Sequence, residues 1–276
     1  MEAIFQKIIN FDQNLLAIIA LVVFYTLEEV LNTTFEFKNR PRHLLNSALL
    51  QLGYVMVNFG LAFVMVACFQ WIDQHHVGLF NIIEIPYPLK LVIGLVCFDF
   101  TFYWAHRLYH LSSFFWRLHR VHHSDNSLDS TSALRFHPFD ALLDSAMSIV
   151  AAAIFGLDIS VVLFYFVLYI PLLFAQHSNF IFPVWTDKVL GKIFASPNFH
   201  KVHHHKDQQF TDSNYGNLFI VWDKLYGTFK YLPVKDIKYG LEEFDGPEQQ
   251  RLFFLLKSPF LNFKKTNEGG GINDKG

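Results

Sequence analysis

The sequence is short of charge and of cysteine, and it has no excess of either sign. Asp, Glu, Lys and Arg make up 17% of its 276 residues, against about 25% in an ordinary soluble domain. Twenty-two Lys and Arg face 24 Asp and Glu, so the basic footprint of a nucleic-acid binder is missing. The two cysteines, Cys68 and Cys97, lie in apolar runs and read as small buried hydrophobes, not as a disulfide framework or a thiolate metal site. The opening stretch MEAIFQKIINFDQN lacks the basic region and small-residue cleavage site of a removable signal. No ER-retrieval or lipidation motif closes the chain.

Apolar and aromatic residues fill the gap. Hydrophobic residues make up 52% and aromatics 17%, with a mean hydropathy of +0.26. A spanning helix needs about 20 mostly apolar residues. Three stretches are candidates: one around LLAIIALVVFYTL from Leu15, one from Leu44 to Ile72, and YPLKLVIGLVCFDFTFYWAH from Tyr87. Between Ser145 and Gln176 only Asp158 is charged, and FGLD in the middle reads as a turn, so this segment is expected to be a hairpin of two shorter helices. The first loop carries Lys38, Arg40 and Arg42; the second, DQHHVGLFNIIEIPYP, carries neither Lys nor Arg; Arg107, Arg117, Arg120 and Arg135 follow the third span. The bias puts the basic loops in the cytoplasm and the N-terminus outside.

The expected fold is therefore an all-α integral membrane protein. It has about three spanning helices plus a helical hairpin, and a cytoplasmic helical cap. Three regions are expected: N-terminal spans over 1–98, a histidine-rich region over 99–232 that includes the 145–176 hairpin, and a C-terminal segment over 233–276. In the last, RLFFLLKSPFLNF reads either as an interfacial amphipathic helix or as a peripheral core helix, and KKTNEGGGINDKG as disordered.

Eleven of the 14 histidines lie at or after His106. They form HRLYH (His106, His110), HRVHH (His119, His122, His123) and HKVHH (His200, His203, His204). Positions three and four apart share a helix face, so each cluster can point its imidazoles into one pocket. Asp99, Tyr103, His106 and His110 form one polar stripe in an otherwise apolar span, which is costly in a membrane unless it serves a function. Neutral imidazole suits zinc, iron, copper and nickel, and eight ligands exceed what one tetrahedral ion takes. The count fits two metals. His177, where the hairpin returns to the cytoplasmic side, is read as a further ligand. His137 is left open between ligand, support and structural role, and His205, on another face of its helix, as exposed or supporting. His43, His75 and His76 read as ordinary. Ligating imidazoles need acceptors on their other nitrogen; Asp99, Asp125, Asp212, Asn214 and Asp223 are candidates, each of which also reads as a cap or surface group.

HxxxH, HxxHH and a later HxxHH around a helical hairpin resemble the fatty acid hydroxylase / sterol desaturase superfamily of integral-membrane diiron enzymes. The likeness runs from about Asp99 to Thr228, and DSTSALRFHP and NYGNLFIVWDKLYGT look like its bacterial members, so a bacterial inner membrane is expected over the ER. The resemblance implies two irons held by His106, His110, His119, His122, His123, His177, His200, His203 and His204; zinc, which binds nitrogen sites more tightly than Fe²⁺, is expected to replace iron on purification. The resemblance also implies O₂ as co-substrate, a lipid substrate, and a separate electron donor of cytochrome b5-like or ferredoxin-like type with its reductase. Some members carry another histidine four residues before the equivalent of His177; here that residue is Leu173, so one metal is expected to have fewer protein ligands or to use water. Hydroxylation of a fatty acyl, sterol-like or ether lipid at an unactivated C–H bond is the leading expectation, and desaturation by the same centre is the alternative. A metal transporter would place its ligands inside the spans, near the bilayer midplane, and a zinc-stabilised scaffold would not need so many.

Overall fold

The computed structural model describes residues 11–31 and 40–263. Lys38 and the tail read as disordered lie outside them. Among the described residues six helices form the bundle: α1 Gln13–Val30, α2 Arg40–Gln74, α3 Tyr87–Leu111, α4 Ser113–His123, α5 Asp140–Phe155 and α6 Ile159–His177. No sheet forms among the described residues, where the only pairings outside helices are isolated bridges, Phe194 with Phe219 and His205 with Tyr239. By length and hydropathy α1, α2, α3 and α6 can each cross a membrane. The fourth of these is the second arm of the expected hairpin. The first arm begins at Asp140, five residues before the expected Ser145. Asp144 lies just outside the expected segment; Tyr54 and Tyr109 donate to its two carboxylate oxygens at 2.8 and 3.0 Å, which lets it sit in the helix.

The core lies where α3 meets α6. Leu95, Phe98, Val161 and Tyr165 are buried together, and Gly94 brings the backbones close: a methyl there would sit 3.0 Å from Val161. The outer face of α2 stays apolar and open, with Phe59 and Phe63 73% and 79% exposed, the pattern of a lipid-facing surface. FGLD forms the hairpin turn as expected. Gly156 takes a left-handed φ of 71° to end α5, and Asp158 caps α6 by accepting from the Ser160 amide. The turn packs on Gly78, itself at φ 98°, so closely that a Cβ on Gly78 would come within 2.1 Å of the Gly156 nitrogen.

Beyond α6 come short helices: α7 Val184–Val189, α8 Pro197–His203, α9 Gln208–Thr211, α10 Val221–Leu225 and α11 Leu252–Lys257. They form a cap over one end of the bundle. Asp99 fastens it: its carboxylate accepts from the Leu218 and Phe219 amides, the Trp222 indole and the Tyr165 hydroxyl. In RLFFLLKSPFLNF the expected core packing is present on one side only. Leu255 is buried against Leu50, Val121 and Phe244, while Phe253 and Phe260 face outward.

Candidate metal centre

Ser112 ends α3 and caps α4, accepting from the Phe115 amide. The chain turns there, and the end of α3 faces α4. With α8 and the end of α6 this brings nine buried or nearly buried histidines together. They fall into two groups, within each of which one ligand atom per residue lies within 4.8 Å of every other: His106, His110, His119, His123 and His203; and His122, His177, His200 and His204. The expectation of one pocket per cluster is therefore corrected. Each HxxHH divides between the groups. In α4, His119 and His123 join the first and His122 the second; at α8, His200 and His204 join the second and His203 the first. At about 100° per residue, i and i+4 lie some 40° apart on the helix, while i+3 lies about 60° to the other side of i. HxxHH is thus a two-site device, an i,i+4 pair for one group and a single residue for its neighbour.

In the first group one segment orients three rings. The Nδ1 atoms of His106, His110 and His203 lie 2.8, 3.2 and 2.7 Å from the Tyr215 carbonyl, the Asp212 carboxylate and the Ser213 carbonyl. These partners only accept, so each ring carries its proton on Nδ1 and a lone pair on Nε2. The Nε2 atoms of His106 and His203 then face each other at 2.9 Å with no proton between them, an arrangement that calls for a cation. Two nitrogens bound to one ion at about 2.1 Å along perpendicular bonds would be about 3.0 Å apart. In the second group His177 Nδ1 donates to the Leu173 carbonyl at 2.8 Å, and His177 Nε2 lies 3.1 Å from His122 Nε2. Buried ring nitrogens without a hydrogen-bond partner remain on His110, His119, His122, His123, His200 and His204. Such orphans are costly, and a metal ion would satisfy them. Burial, reinforced by charge on neighbouring imidazoles, holds His119, His122, His123, His200, His203 and His204 well below the usual histidine range, so they are neutral and able to ligate at pH 7. The donor set fits two metal ions.

Of the candidate supporting residues, Asp212 alone reaches a clustered ring. Asp125 turns away: it accepts from Ser132 and pairs with His43 at 2.8 Å, within a charged lattice that also holds Arg40, Glu28 and Asp129. His43, read as ordinary, is thus a structural ion-pair partner. Asp99 is spent on the cap. Asn214, at φ 51°, clasps the Phe199 and Lys230 backbones. Asp223 accepts from the Tyr215 and Gly216 amides and so acts one step removed, by setting the Tyr215 carbonyl. His137 lies outside both groups; its Nε2 lies 3.3 Å from the Leu256 carbonyl and its Nδ1 accepts from the Phe139 amide. His205 accepts from the Asp207 amide and packs on Phe210. His75 stacks on Trp71 in the far loop. Sequence reading missed the Ser213 and Tyr215 carbonyls, since backbone acceptors leave no residue-type signal. It also missed Phe136, stacked on His122 at 4.4 Å, and Tyr109, stacked on His119 at 4.5 Å.

A cavity of about 410 Å³ opens on both groups, touching His106, His119, His122, His177 and His200. It continues along α6 past Leu173, Ile170 and Phe166 to Leu163, about 21 Å from His177 at 1.5 Å per residue. Of the aromatics that flank the histidines of α3 and α4, Phe102 lines it and Trp104, Phe114, Phe115 and Trp116 do not.

The profile of the fatty acid hydroxylase family matches residues 91–228, the stretch that carries every one of these histidines. The chain belongs to this family. It is 33% identical over 153 residues to an alkylglycerol monooxygenase of Caenorhabditis elegans, covering 54% of this chain and 29% of that one. It is 32% identical to the ornithine lipid hydroxylase OlsE of Rhizobium tropici (54% and 44%) and 31% identical to human alkylglycerol monooxygenase (52% and 31%). The chain thus spans less than half the length of these relatives. No solved structure matches it.

Proposed function

We propose that this family member hydroxylates a membrane lipid at an unactivated C–H bond, using O₂ and two irons. His106, His110, His119, His123 and His203 would hold one ion and His122, His177, His200 and His204 the other. When bound, such a pair supplies the redox chemistry that splits O₂ and attacks the C–H bond. The balance is RH + O₂ + two electrons + two protons giving ROH + H₂O, with the electrons from a separate cytochrome b5-like or ferredoxin-like donor. The observation that carries the reading is the junction of nine buried imidazoles with a long, mostly apolar cavity. A transporter needs a polar path across the membrane; this cavity runs from the histidines along the apolar α6 wall of Leu173, Ile170, Phe166 and Leu163.

The protein's own part is positional. Tyr215, Asp212 and Ser213 fix the tautomer and angle of three imidazoles. Phe136 and Tyr109 stack behind two more and keep water from them. Leu173, Ile170 and Phe166 offer a chain-shaped apolar wall. Substrates named for the relatives, an alkylglycerol and an ornithine lipid, support a polar lipid as the class. The Lys and Arg bias supports a cytoplasmic cap, and the stretches typical of bacterial members support an inner membrane.

The test is lipid analysis of membranes from cells expressing wild type or His122→Ala under ¹⁸O₂. The expected result is a lipid heavier by one ¹⁸O atom, formed only by wild type. A product short of two hydrogens and without ¹⁸O would mean desaturation, and no difference at all would sink the reading.

A further inference from the structure

One wall of the cavity is polar at a depth where its neighbours are apolar. Gln51, Tyr54 and Asn58 come from α2, Tyr109 from α3, and Asp144 and Ser145 from α5. On α2 the three lie on one stripe, spaced by three and four. The centre of the patch is Asp144. Tyr54 donates to one of its oxygens at 2.8 Å and Tyr109 to the other at 3.0 Å. Each carboxylate oxygen accepts two hydrogen bonds, so one site per oxygen remains for the cavity. Ser145 turns to Asn58, Oγ to Oδ1 at 3.4 Å, and the Gln51 amide lines the same wall. Polar and ionisable side chains among spanning helices are costly unless they meet a partner. Packing alone could join α2, α3 and α5 with apolar residues.

The patch is also next to the histidines. The Tyr109 ring that reaches Asp144 stacks on His119 at 4.5 Å. A group bound to Asp144 would therefore sit one aromatic ring away from the imidazoles. The rest of the molecule would lie along Leu173, Ile170 and Phe166.

We propose that Asp144, held by Tyr54 and Tyr109, is a docking site for a hydrogen-bond donor, a hydroxyl or ammonium, on the polar end of the lipid. It is a specificity residue that orients the lipid with its polar end at the histidines and its tail along α6. This rests on the cavity being the lipid site and adds which lipids it takes. A plain hydrocarbon or a donor-free ester end leaves Asp144 with only its two tyrosine donors, while an alcohol or amine adds a third. The carbon presented to the metal centre is then close to the donor, not at the tail's far end.

The experiment is direct binding to the metal-loaded full chain in nanodiscs without reductant, so that no turnover is needed. The probes are hexadecan-1-ol, hexadecylamine and hexadecyl methyl ether, which share a chain and differ in the donor. Wild type should retain the alcohol or the amine at least about tenfold better than the ether, the ratio of one hydrogen bond to a charged acceptor; whichever probe wins identifies the donor. Asp144→Leu should bring the ratio near one and leave ether binding unchanged. Asp144→Asn, which keeps the size but loses the charge, should lower the ratio most for the amine. Equal retention of all three probes by wild type overturns the proposal, and so does a ratio that survives both variants. Failure to find any oxygenated lipid would overturn the catalytic reading while leaving this binding ratio intact.

Discussion

The two histidine groups share helices but not supports. In the five-membered group, three Nδ1 atoms are held by the short segment from Asp212 to Tyr215. In the four-membered group, only His177 has such a hold, from the Leu173 carbonyl of its own helix; Nδ1 of His122, His200 and His204 has no partner. Three of the five rings in the first group are thus oriented by the protein itself, while His119 and His123 have no hydrogen-bond partner on either nitrogen. In the second only one ring of four is so oriented, and its geometry would depend more on a bound ion.

The largest effect should come from removing a ligand on each side. His122→Ala leaves three imidazoles in the weaker group and should empty it, taking bound metal from about two ions per chain to about one and abolishing the proposed hydroxylation. His203→Ala leaves four on the stronger side and should retain more metal. Metal analysis of both variants checks this, and equal retention would erase the asymmetry. Next comes Asp212→Ala, which frees the His110 ring. Loss of such a supporting acceptor costs about 10–100-fold in metal affinity, and a competing chelator should extract one ion selectively. The converse, loss of both ions together, would mean that the groups act as a unit.

Metal-free protein should be sensitive to acid. His119, His122, His123, His200, His203 and His204 stay neutral in the fold below the pH at which a free histidine gains its proton. Between the unfolded value of about 6.5 and the lower folded values, the unfolded chain binds more protons, so stability falls as pH drops through that window, by up to about 1.4 kcal/mol per pH unit for each such group. Thermal unfolding of chelated protein from pH 8 to pH 5 should show this loss of stability, and replacing His119 and His123 by Gln should reduce it. The smallest effects belong to residues outside both groups. His75→Ala and His205→Ala should keep both ions and most activity, because one stacks on Trp71 in the far loop and the other packs on Phe210 beside the cap. Loss of metal in either would redraw the groups.

The spans and ligand candidates were legible because composition and helical spacing carry them directly. The spacing of HxxHH did not by itself reveal the split, since it depends on two such helices facing each other. Supporting groups were harder to read. Asp99, Asp125 and Asp223 are the right chemical type, yet long-range folding assigned them to the cap, to His43 and to the Tyr215 backbone. The Ser213 and Tyr215 carbonyls could not be found from side-chain identity at all. The start of α5 lies before the expected segment, where Asp144 is accommodated by the Tyr54 and Tyr109 donors, contacts that no local sequence pattern carries.

The contact between Gly78 and Gly156 bears on biogenesis. α5 has 16 residues and begins with two carboxylates at Asp140 and Asp144, too few and too polar for a lone spanning segment to partition by itself. It would enter the bilayer paired with α6, tip first. The berth for that tip is the turn between α2 and α3, which exists only once both are in place. Docking of the hairpin tip has room for hydrogen but not for a methyl at Gly78. Gly78→Ala should therefore act as an assembly defect, with chains trapped by quality control while the histidine end remains chemically intact.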